Sequence, residues 1–250
     1  MMHKVKYRVQ KLSGALALLS AELVLVLLLF FIALALLIIF IRQVFYHKED
    51  LFDNKIFIFL SHYVSPAHTV IMQGFTFLGA HFFLIPAWLM LFGYYIFIKK
   101  DRWNFIKMAT IGVSNLLLMF GLKFLFNRPR PLIPLLKEVP GLSFPSGHAF
   151  MSLTFFGLLI YIIYRGIADK WLKWICITIL TLVIFMIGLS RVYLRVHYAS
   201  DVIAGYCFGI VSLILLLWML RQIEKFNAKK IPYHLNVTKT AGDSALRKVN

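Results

Sequence analysis

Six long apolar stretches constrain the fold of this chain more than any other feature. A helix of about 20 apolar residues crosses the hydrocarbon core of a bilayer. The 250-residue chain is 61% hydrophobic, which excludes an ordinary soluble domain. We therefore predict an all-α polytopic membrane protein with six transmembrane helices. The predicted spans lie at approximately 23–41, 82–98, 105–126, 149–164, 172–189 and 202–220.

The spans divide the chain into three parts. Residues 1–22 are predicted to form a basic amphipathic N-terminal segment, residues 23–220 the six-span domain, and residues 221–250 a polar cytoplasmic tail. Between spans 1 and 2 the pattern favours an amphipathic piece at 53–64 and a short helix at 70–78. The tail has few large apolar residues after Tyr233, which predicts disorder at its end.

Lysine and arginine are distributed unevenly among the loops. They concentrate before span 1, at 99–102, at 165–173 and after span 6. Cytoplasmic loops carry an excess of these residues, so both termini are predicted to be cytoplasmic in the plasma (inner) membrane. This distribution explains the net charge of +17 without a nucleic-acid partner. The sequence gives no sign of an obligate protein partner.

Three polar stretches lie at the ends of spans 3 to 6, on the face predicted to be extracytoplasmic. Their chemically distinctive residues are Lys123, Arg130 and Pro131; Pro145, Ser146, Gly147 and His148; and Ser190, Arg191, His197 and Asp201. Membrane topology therefore predicts that residues far apart in sequence meet at one membrane face.

These residue types suit phosphoryl transfer. Lysine and arginine can neutralise the nonbridging phosphate oxygens, with arginine offering bidentate geometry. Ser146 and Gly147 stand just before a predicted helix, where backbone amides hold anions. On a helix Asp201 shares a face with His197, so it can hold one imidazole nitrogen and leave the other as a nucleophile. His148 can then protonate the leaving alkoxide.

Each stretch also has a simpler interpretation. Lys123 and Arg191 are typical of side chains that extend to the membrane interface from a helix end. Ser146 and Asp201 are typical helix caps. The fixed spacing of all the residues on one face favours the functional interpretation.

The three stretches together resemble the signature of the type 2 phosphatidic acid phosphatase (PAP2) superfamily, in particular its membrane lipid phosphatases. That branch includes phosphatidylglycerophosphate and undecaprenyl pyrophosphate phosphatases. The resemblance covers roughly residues 60–220. It implies that His197 forms a phosphohistidine, that Asp201 orients it and that His148 is the general acid. It further implies phosphate-binding roles for Lys123, Arg130, Ser146, Gly147 and Arg191. Residues 127–131 contain a second Arg-Pro pair, so Arg128 is offered as an auxiliary phosphate contact.

The sequence therefore predicts an integral-membrane phosphatase, of bacterial type, that acts on a phospholipid or isoprenoid phosphate or pyrophosphate. We expect no cofactor and no metal, because the motifs are rich in cations and poor in carboxylates. Two alternatives remain. A lipid phosphotransferase would use a hydroxyl acceptor in place of water, and a transporter would retain the site as a relic.

Overall fold

The computed structural model describes residues 23–47, 51–131, 133–135 and 140–246. The predicted N-terminal segment 1–22 lies outside the described residues. Throughout the described part the secondary structure is helical, with no strand. The helices are α1 (Leu23–Tyr46), α2 (Leu51–Ser61), α3 (Pro66–Leu78), α4 (His81–Gly93), α5 (Arg102–Phe126), α6 (Gly147–Gly166), α7 (Lys170–Tyr193) and α8 (Ala199–Leu246).

Six of these helices are long and apolar enough to cross a membrane, which confirms the predicted fold class. They are α1, α4 with its extension, α5, α6, α7 and the part of α8 at Ala199–Phe226. The extension of α4 is a wider π-helical segment, Tyr94–Ile98. Many large apolar side chains on the spans are exposed, among them Phe124, a surface that suits lipid rather than water.

The two short helices α2 and α3 fall in the region where the sequence predicted helical pieces. α3 begins at Pro66, and Ser65 caps it by accepting a hydrogen bond from the His68 amide at 3.2 Å. α3 packs against α7, and α2 also contacts α7. The only residue that α2 buries almost completely is acidic, Asp53.

Local sequence fixes where α5 begins and ends. The Asp101 carboxylate accepts a hydrogen bond from the Asn104 amide at 3.0 Å and caps the first turn. Asn127 ends the helix in the left-handed conformation, with φ 44°. Asparagine is one of the few residues that adopt this conformation at low cost. The chain therefore turns sharply just before Arg128 and Arg130.

Close packing joins the start of α6 to α8. A β-carbon on Gly205 would lie 2.8 Å from the Ser146 carbonyl oxygen, so only glycine permits this approach. The Ser146 amide also donates to the Asp201 carbonyl at 3.0 Å. An aromatic cluster beside this contact holds α1 and α5 to the loop before α6, because the rings of Phe45, Phe126 and Phe144 have centroids 4.9–5.1 Å apart.

By its contacts the chain divides into two compact units, with the boundary between Leu213 and Ile214. In the second unit α8 continues past the predicted end of span 6 to Leu246, where the sequence predicted disorder near the terminus. Glutamine, glutamate, lysine and alanine, all of which favour helix, are frequent at 222–230. Every residue of the candidate site belongs to the first unit.

Candidate active site

The predicted residues converge at one end of the first unit. Lys123 ends α5, Gly147 begins α6, Arg191 ends α7 and Asp201 stands in the first turn of α8. His197 lies in the short loop between α7 and α8 and is 1% exposed. The structure thus brings together the three polar stretches that the sequence places far apart.

His197 is held between an acidic and a basic side. Its Nδ1 lies 3.6 Å from Asp201 Oδ2, and its Nε2 lies 3.3 Å from Arg130 Nη1. The Asp201 carboxylate can accept a hydrogen bond from a protonated Nδ1, which leaves the Nε2 lone pair directed towards the cationic side. This arrangement suits Nε2 as a nucleophile beside a bound anion.

Ser143 completes the carboxylate side, and the sequence analysis missed it. Its hydroxyl donates a short hydrogen bond to Asp201 Oδ2 and lies 3.5 Å from His197 Nδ1. The Tyr198 amide donates to the same carboxylate oxygen at 2.9 Å. The Asp201 carboxylate is completely buried, and these donors compensate part of the cost of burying its charge.

Arg130 and Lys123 lie on the basic side. Arg130 donates from Nη1 to the Val196 carbonyl at 2.8 Å and from Nε to the Gly141 carbonyl at 3.2 Å. Lys123 donates to the Leu142 carbonyl at 3.2 Å. Their partners are neutral carbonyl oxygens, so these hydrogen bonds fix the side chains without neutralising their charge. The charge stays available to an anion.

Arg191 is the third cation of this side, and α3 positions it. Its Nη1 donates to Thr76 Oγ1 at 2.7 Å, and the neighbouring Ser190 hydroxyl donates to the same oxygen at 3.1 Å. Thr76 is a second residue that the sequence analysis missed. No hydrogen-bond partner is present for the buried Nε of Arg191 within the described chain.

The start of α6 offers further anion-binding groups. Ser146 is the N-cap, yet its buried hydroxyl makes no capping hydrogen bond and has no partner among the described residues. Buried polar atoms are nearly always paired in folded proteins. An anion bound here would satisfy both this hydroxyl and Arg191 Nε.

Gly147 lies directly beside Lys123. A β-carbon on Gly147 would lie 3.9 Å from Lys123 Cε and 3.5 Å from Met119 Cε. A side chain at this position would therefore occupy the space between the first amides of α6 and the lysine.

His148 occupies the first turn of α6 and faces the same group of charges. The charged or ionisable side chains that influence it electrostatically are Arg191, His197, Arg130 and Lys123. The loop between α3 and α4 closes against it, because a β-carbon on Gly79 would lie 3.2 Å from His148 Cδ2. His148 therefore lies within the electrostatic reach of His197 and of the three cations.

Arg128 does not join the cationic side, which corrects the suggestion that it is an auxiliary phosphate contact. It lies on the carboxylate side of His197, where its Nη1 donates to Asp201 Oδ1 at 2.6 Å and its Nη2 donates to Asp53 Oδ2 at 3.1 Å. Its guanidinium carbon lies 4.0 Å from the centre of the Tyr198 ring. The two arginines, which are two residues apart after the left-handed turn at Asn127, thus have different partners around His197.

The surroundings shift the pKa of three groups in the loops. Burial lowers the pKa of His197 to about 4, and Asp201 opposes this only in part. Burial also lowers the pKa of Arg130, against the attraction of Asp201. Burial acts on Arg128 in the same sense, but attraction to Asp201 and Asp53 outweighs it, so the pKa of Arg128 is raised. The His197 imidazole is therefore neutral at physiological pH, as a nucleophile requires.

Across the described residues no group of three or more histidine, cysteine, aspartate or glutamate side chains could hold a metal ion. Separately, three cationic side chains lie at this site, Lys123, Arg130 and Arg191.

An apolar cavity of about 370 Å³ opens from the site between α4, α5 and α6. Gly147 and His148 line its polar end, and Trp88 and Phe92 line its deeper part. From His81 to Phe92 the cavity follows α4 for about 16 Å, at a rise of about 1.5 Å per residue. A long hydrocarbon chain fits this shape.

Comparison with known proteins agrees with the geometry. The family model described as the PAP2 superfamily matches residues 103–225. Phosphatidylglycerophosphatase B of Bacillus subtilis is 30% identical over 161 residues, which cover 64% of this chain and 78% of that protein. The bacitracin transport permease protein BcrC of Bacillus licheniformis is 29% identical over 100 residues, 36% of this chain and 44% of that protein.

Two crystal structures share the fold. A transmembrane PAP2-type phosphatidylglycerolphosphate phosphatase from Bacillus subtilis superposes with a TM-score of 0.67 at 26% identity, covering 79% of this chain and 96% of that chain. LpxE of Aquifex aeolicus superposes with a TM-score of 0.52 at 28% identity, covering 65% and 93%. From its sequence, its six spans and these relatives, the chain belongs to the PAP2 superfamily of membrane phosphatases.

Proposed function

We propose that the protein hydrolyses a lipid phosphomonoester or pyrophosphate through a covalent intermediate on His197. One observation carries the proposal: Arg130 Nη1 lies 3.3 Å from His197 Nε2, and the other hydrogen bonds of this guanidinium go to neutral backbone carbonyls. A phosphate held by Arg130 would present its phosphorus atom to Nε2. Holding the reacting atoms together in this way removes much of the entropic cost of the reaction.

The reaction has two balanced steps. His197 Nε2 attacks phosphorus, the bond from phosphorus to the leaving oxygen breaks, and that oxygen takes a proton from His148. Water then attacks the phosphohistidine and returns its proton to His148. The nitrogen–phosphorus bond breaks, and inorganic phosphate leaves with His197 neutral again. Asp201 accepts a hydrogen bond from the protonated Nδ1 throughout, without taking the proton, and stabilises the charge that develops on the imidazole.

Lys123, Arg130 and Arg191 stabilise the charge on the phosphate oxygens in both steps. Side-chain charge in a buried site acts as a preorganised electrostatic environment and needs no metal. The Ser146 hydroxyl and the amide at Gly147 add hydrogen bonds from the start of α6.

The apolar cavity supports a lipid substrate rather than a soluble one. The chain of the lipid would lie between α4 and α5, with its phosphate at the Gly147 and His148 end. The phosphatidylglycerophosphatase B relative makes phosphatidylglycerol phosphate the first substrate to test. Bacterial relatives also favour a bacterial plasma membrane as the location.

Purified protein in detergent, assayed for phosphate release, tests the activity. The panel contains phosphatidylglycerol phosphate, phosphatidic acid, a lipid A phosphate and undecaprenyl pyrophosphate, and His197→Ala is the control. We expect release from at least one of the four. Phosphate that appears on an added lipid or sugar alcohol instead of in solution would indicate a phosphotransferase. Failure of all four, with vesicle transport retained, would indicate a transporter and contradict the proposal.

We further propose that both termini are cytoplasmic and that the site faces the outside of the membrane, as the lysine and arginine distribution predicts. Ile133 and Ala168 are exposed and lie on loops at opposite ends of the spans. Single cysteines at these positions, with Cys176 and Cys207 replaced by alanine, would report the topology. An impermeant thiol reagent on intact cells should label position 133 and spare 168, and the reverse labelling would place the site in the cytoplasm.

A further inference from the structure

A buried network of alternating charges lies on the carboxylate side of His197. Arg128 donates from Nη1 to Asp201 Oδ1 at 2.6 Å and from Nη2 to Asp53 Oδ2 at 3.1 Å. Relative exposures are 7% for Arg128, 2% for Asp53 and 0% for Asp201. Neither Arg128 nor Asp53 is among the residues to which the family resemblance assigns a role.

Arg128 determines which carboxylate oxygen faces His197. Because Arg128 occupies Asp201 Oδ1, the other oxygen, Oδ2, is directed to Ser143, to the Tyr198 amide and to His197 Nδ1. The ring of Tyr198 lies against the guanidinium plane, with 4.0 Å from Cζ to the ring centre. The arginine is thereby fixed by a stacked ring as well as by hydrogen bonds.

Asp53 fixes Arg128 and the start of α8 together. Its Oδ1 accepts from the Ser200 amide at 2.8 Å, and its Oδ2 accepts from the Ser200 hydroxyl at 2.6 Å. The same Ser200 hydroxyl accepts from Arg128 Nη1 at 2.9 Å. A carboxylate at a helix N-terminus pairs with the unbonded amides and with the helix dipole. Asp53 therefore connects α2 to the turn that carries Asp201.

We propose that Arg128 and Asp53 are positioning residues for His197, acting through Asp201. They hold Oδ2 towards Nδ1, and Arg128 reduces the negative charge that the imidazole experiences. This inference rests on the proposed role of His197 as nucleophile. An Asp201 without its arginine would attract a second proton onto His197, and an imidazolium has no lone pair with which to attack phosphorus.

The charges around His197 come from every element packed at the site. They are Asp53 on α2, Lys123 on α5, Arg128 and Arg130 on the loop after α5, His148 on α6, Arg191 on α7 and Asp201 on α8. Arg130 and Arg191 lower the proton affinity of His197 directly, because their positive charges disfavour an imidazolium. Arg128 is distinct because its hydrogen bonds go to the carboxylate itself.

Two variants separate the charge of Arg128 from its geometry. The double variant Asp53→Asn/Arg128→Gln removes one negative and one positive charge, so the net charge of the network is kept. Arg128→Lys retains the positive charge, but one ammonium cannot reproduce the fork that reaches both carboxylates and Ser200. Arg165→Gln, an exposed arginine at the end of α6, is the matched control.

The experiment measures kcat and KM for phosphate release together with the titration of His197, followed by NMR of protein carrying ¹⁵N-labelled histidine. His197→Gln assigns the resonance. For the double variant we expect a kcat loss of about 100-fold, as for misplacement of a reacting group, with little change in KM and with His197 titrating at higher pH. Arg128→Lys should lose part of kcat while the titration stays near that of the wild type.

Three results would overturn the inference. The first is wild-type kcat in the double variant. The second is a kcat loss in the double variant without any shift in its His197 titration, which would make the network a structural clamp only. The third is full wild-type kcat for Arg128→Lys. Arg128→Lys keeps the buried charge and decides the question if the double variant does not fold. A wild-type protein that releases no phosphate would refute the proposed function, while the His197 titration would still test the network.

Discussion

Arg128 and Arg130 are two residues apart on one loop, but the two sides of His197 on which they lie are built differently. On the acidic side Arg128 is paired with two buried carboxylates. On the basic side Arg130 bonds to backbone carbonyls and meets His197 Nε2. At Arg128, attraction to Asp201 and Asp53 outweighs burial and raises the pKa. At Arg130, burial is the larger effect and lowers the pKa.

The difference teaches which arginine can bind a ligand. A guanidinium whose charge is neutralised by fixed carboxylates stabilises the fold and positions its partners. One whose hydrogen bonds go to neutral oxygens keeps its charge for an incoming anion. Both arginines lie on the same short loop, so the identity of their partners is the deciding observation.

Replacement of His197 should abolish phosphate release, because the acidic side and the basic side both act on this residue. We expect His197→Ala to lower phosphate release by about 10⁴-fold or more, since no other group near the site is placed to attack phosphorus. His62→Ala is the matched control, because His62 is exposed just after α2 and its ring lies within hydrogen-bond distance of the Ile58 and Phe59 carbonyls of that helix. Near wild-type release by His197→Ala would refute the covalent mechanism.

Substitution of each arginine by glutamine should distinguish the two sides by their effect on thermal stability. Arg130→Gln should lower kcat by about 10²- to 10³-fold, the loss typical of one oxyanion-stabilising group, with thermal stability retained. Arg128→Gln should destabilise the fold by about 3–5 kcal/mol, because it leaves two buried carboxylates without their cation. Phosphate release and thermal unfolding in detergent measure the two effects. Similar profiles for the two variants would remove the distinction between the sides.

Loss of the Thr76 hydroxyl should produce a smaller effect on the basic side. Thr76→Val removes the acceptor for Arg191 Nη1 and keeps the shape of the side chain. We expect about a tenfold fall in kcat/KM, as for one hydrogen bond to a charged group. Thr76→Ser is the matched control and should restore most of the activity. Equal activity of the valine and serine variants would show that the contact has no role in orienting Arg191.

The acidic limb of the pH profile of kcat/KM should lie at an unusually low pH. Since the pKa of His197 is lowered to about 4, its neutral form should predominate down to about pH 5, and this group should change kcat/KM by less than about twofold between pH 5 and 7. An unfolded histidine has a pKa of about 6.5, so the unfolded chain binds the proton first and stability falls from pH 6.5 towards 4. A limb centred near 6.5 would contradict the burial of His197.

Chelation should produce no effect at all. Lys123, Arg130 and Arg191 supply the charge that a metal would otherwise provide, so dialysis against a chelator should leave phosphate release unchanged. Activity that is lost on dialysis and restored by magnesium or zinc would show that the basic side does not suffice.

Eight signature residues could be predicted from sequence because each lies at a fixed spacing beside the end of a span. They are Lys123, Arg130, Ser146, Gly147, His148, Arg191, His197 and Asp201. Topology then places the ends of α5 and α7 with the starts of α6 and α8, and the structure brings the residues together there. Their chemical roles remain predictions. Local rules also predicted the six spans, since a long apolar helix carries its own signal.

The supporting residues could not be predicted in this way. Asp53 lies 75 residues from Arg128 and 147 from Ser200. It is one acidic residue in an amphipathic stretch, where exposure to water is the usual outcome. Thr76 and Ser143 are single hydroxyls with no spacing relation to the motifs. Arg128 was assigned to the wrong side because its partner Asp53 comes from a distant helix and leaves no signal in the motif.

The hydrogen bonds of Asp53 and Thr76 have a consequence for where the functional unit of this protein begins. The family match starts at residue 103 and includes all eight signature residues. A polypeptide limited to 103–225 would nevertheless lack the carboxylate that caps α8 and the hydroxyl that orients Arg191. The segment that identifies the family is thus shorter than the segment that assembles its active site, and α2 and α3 are as much a part of the enzyme as the motifs they support.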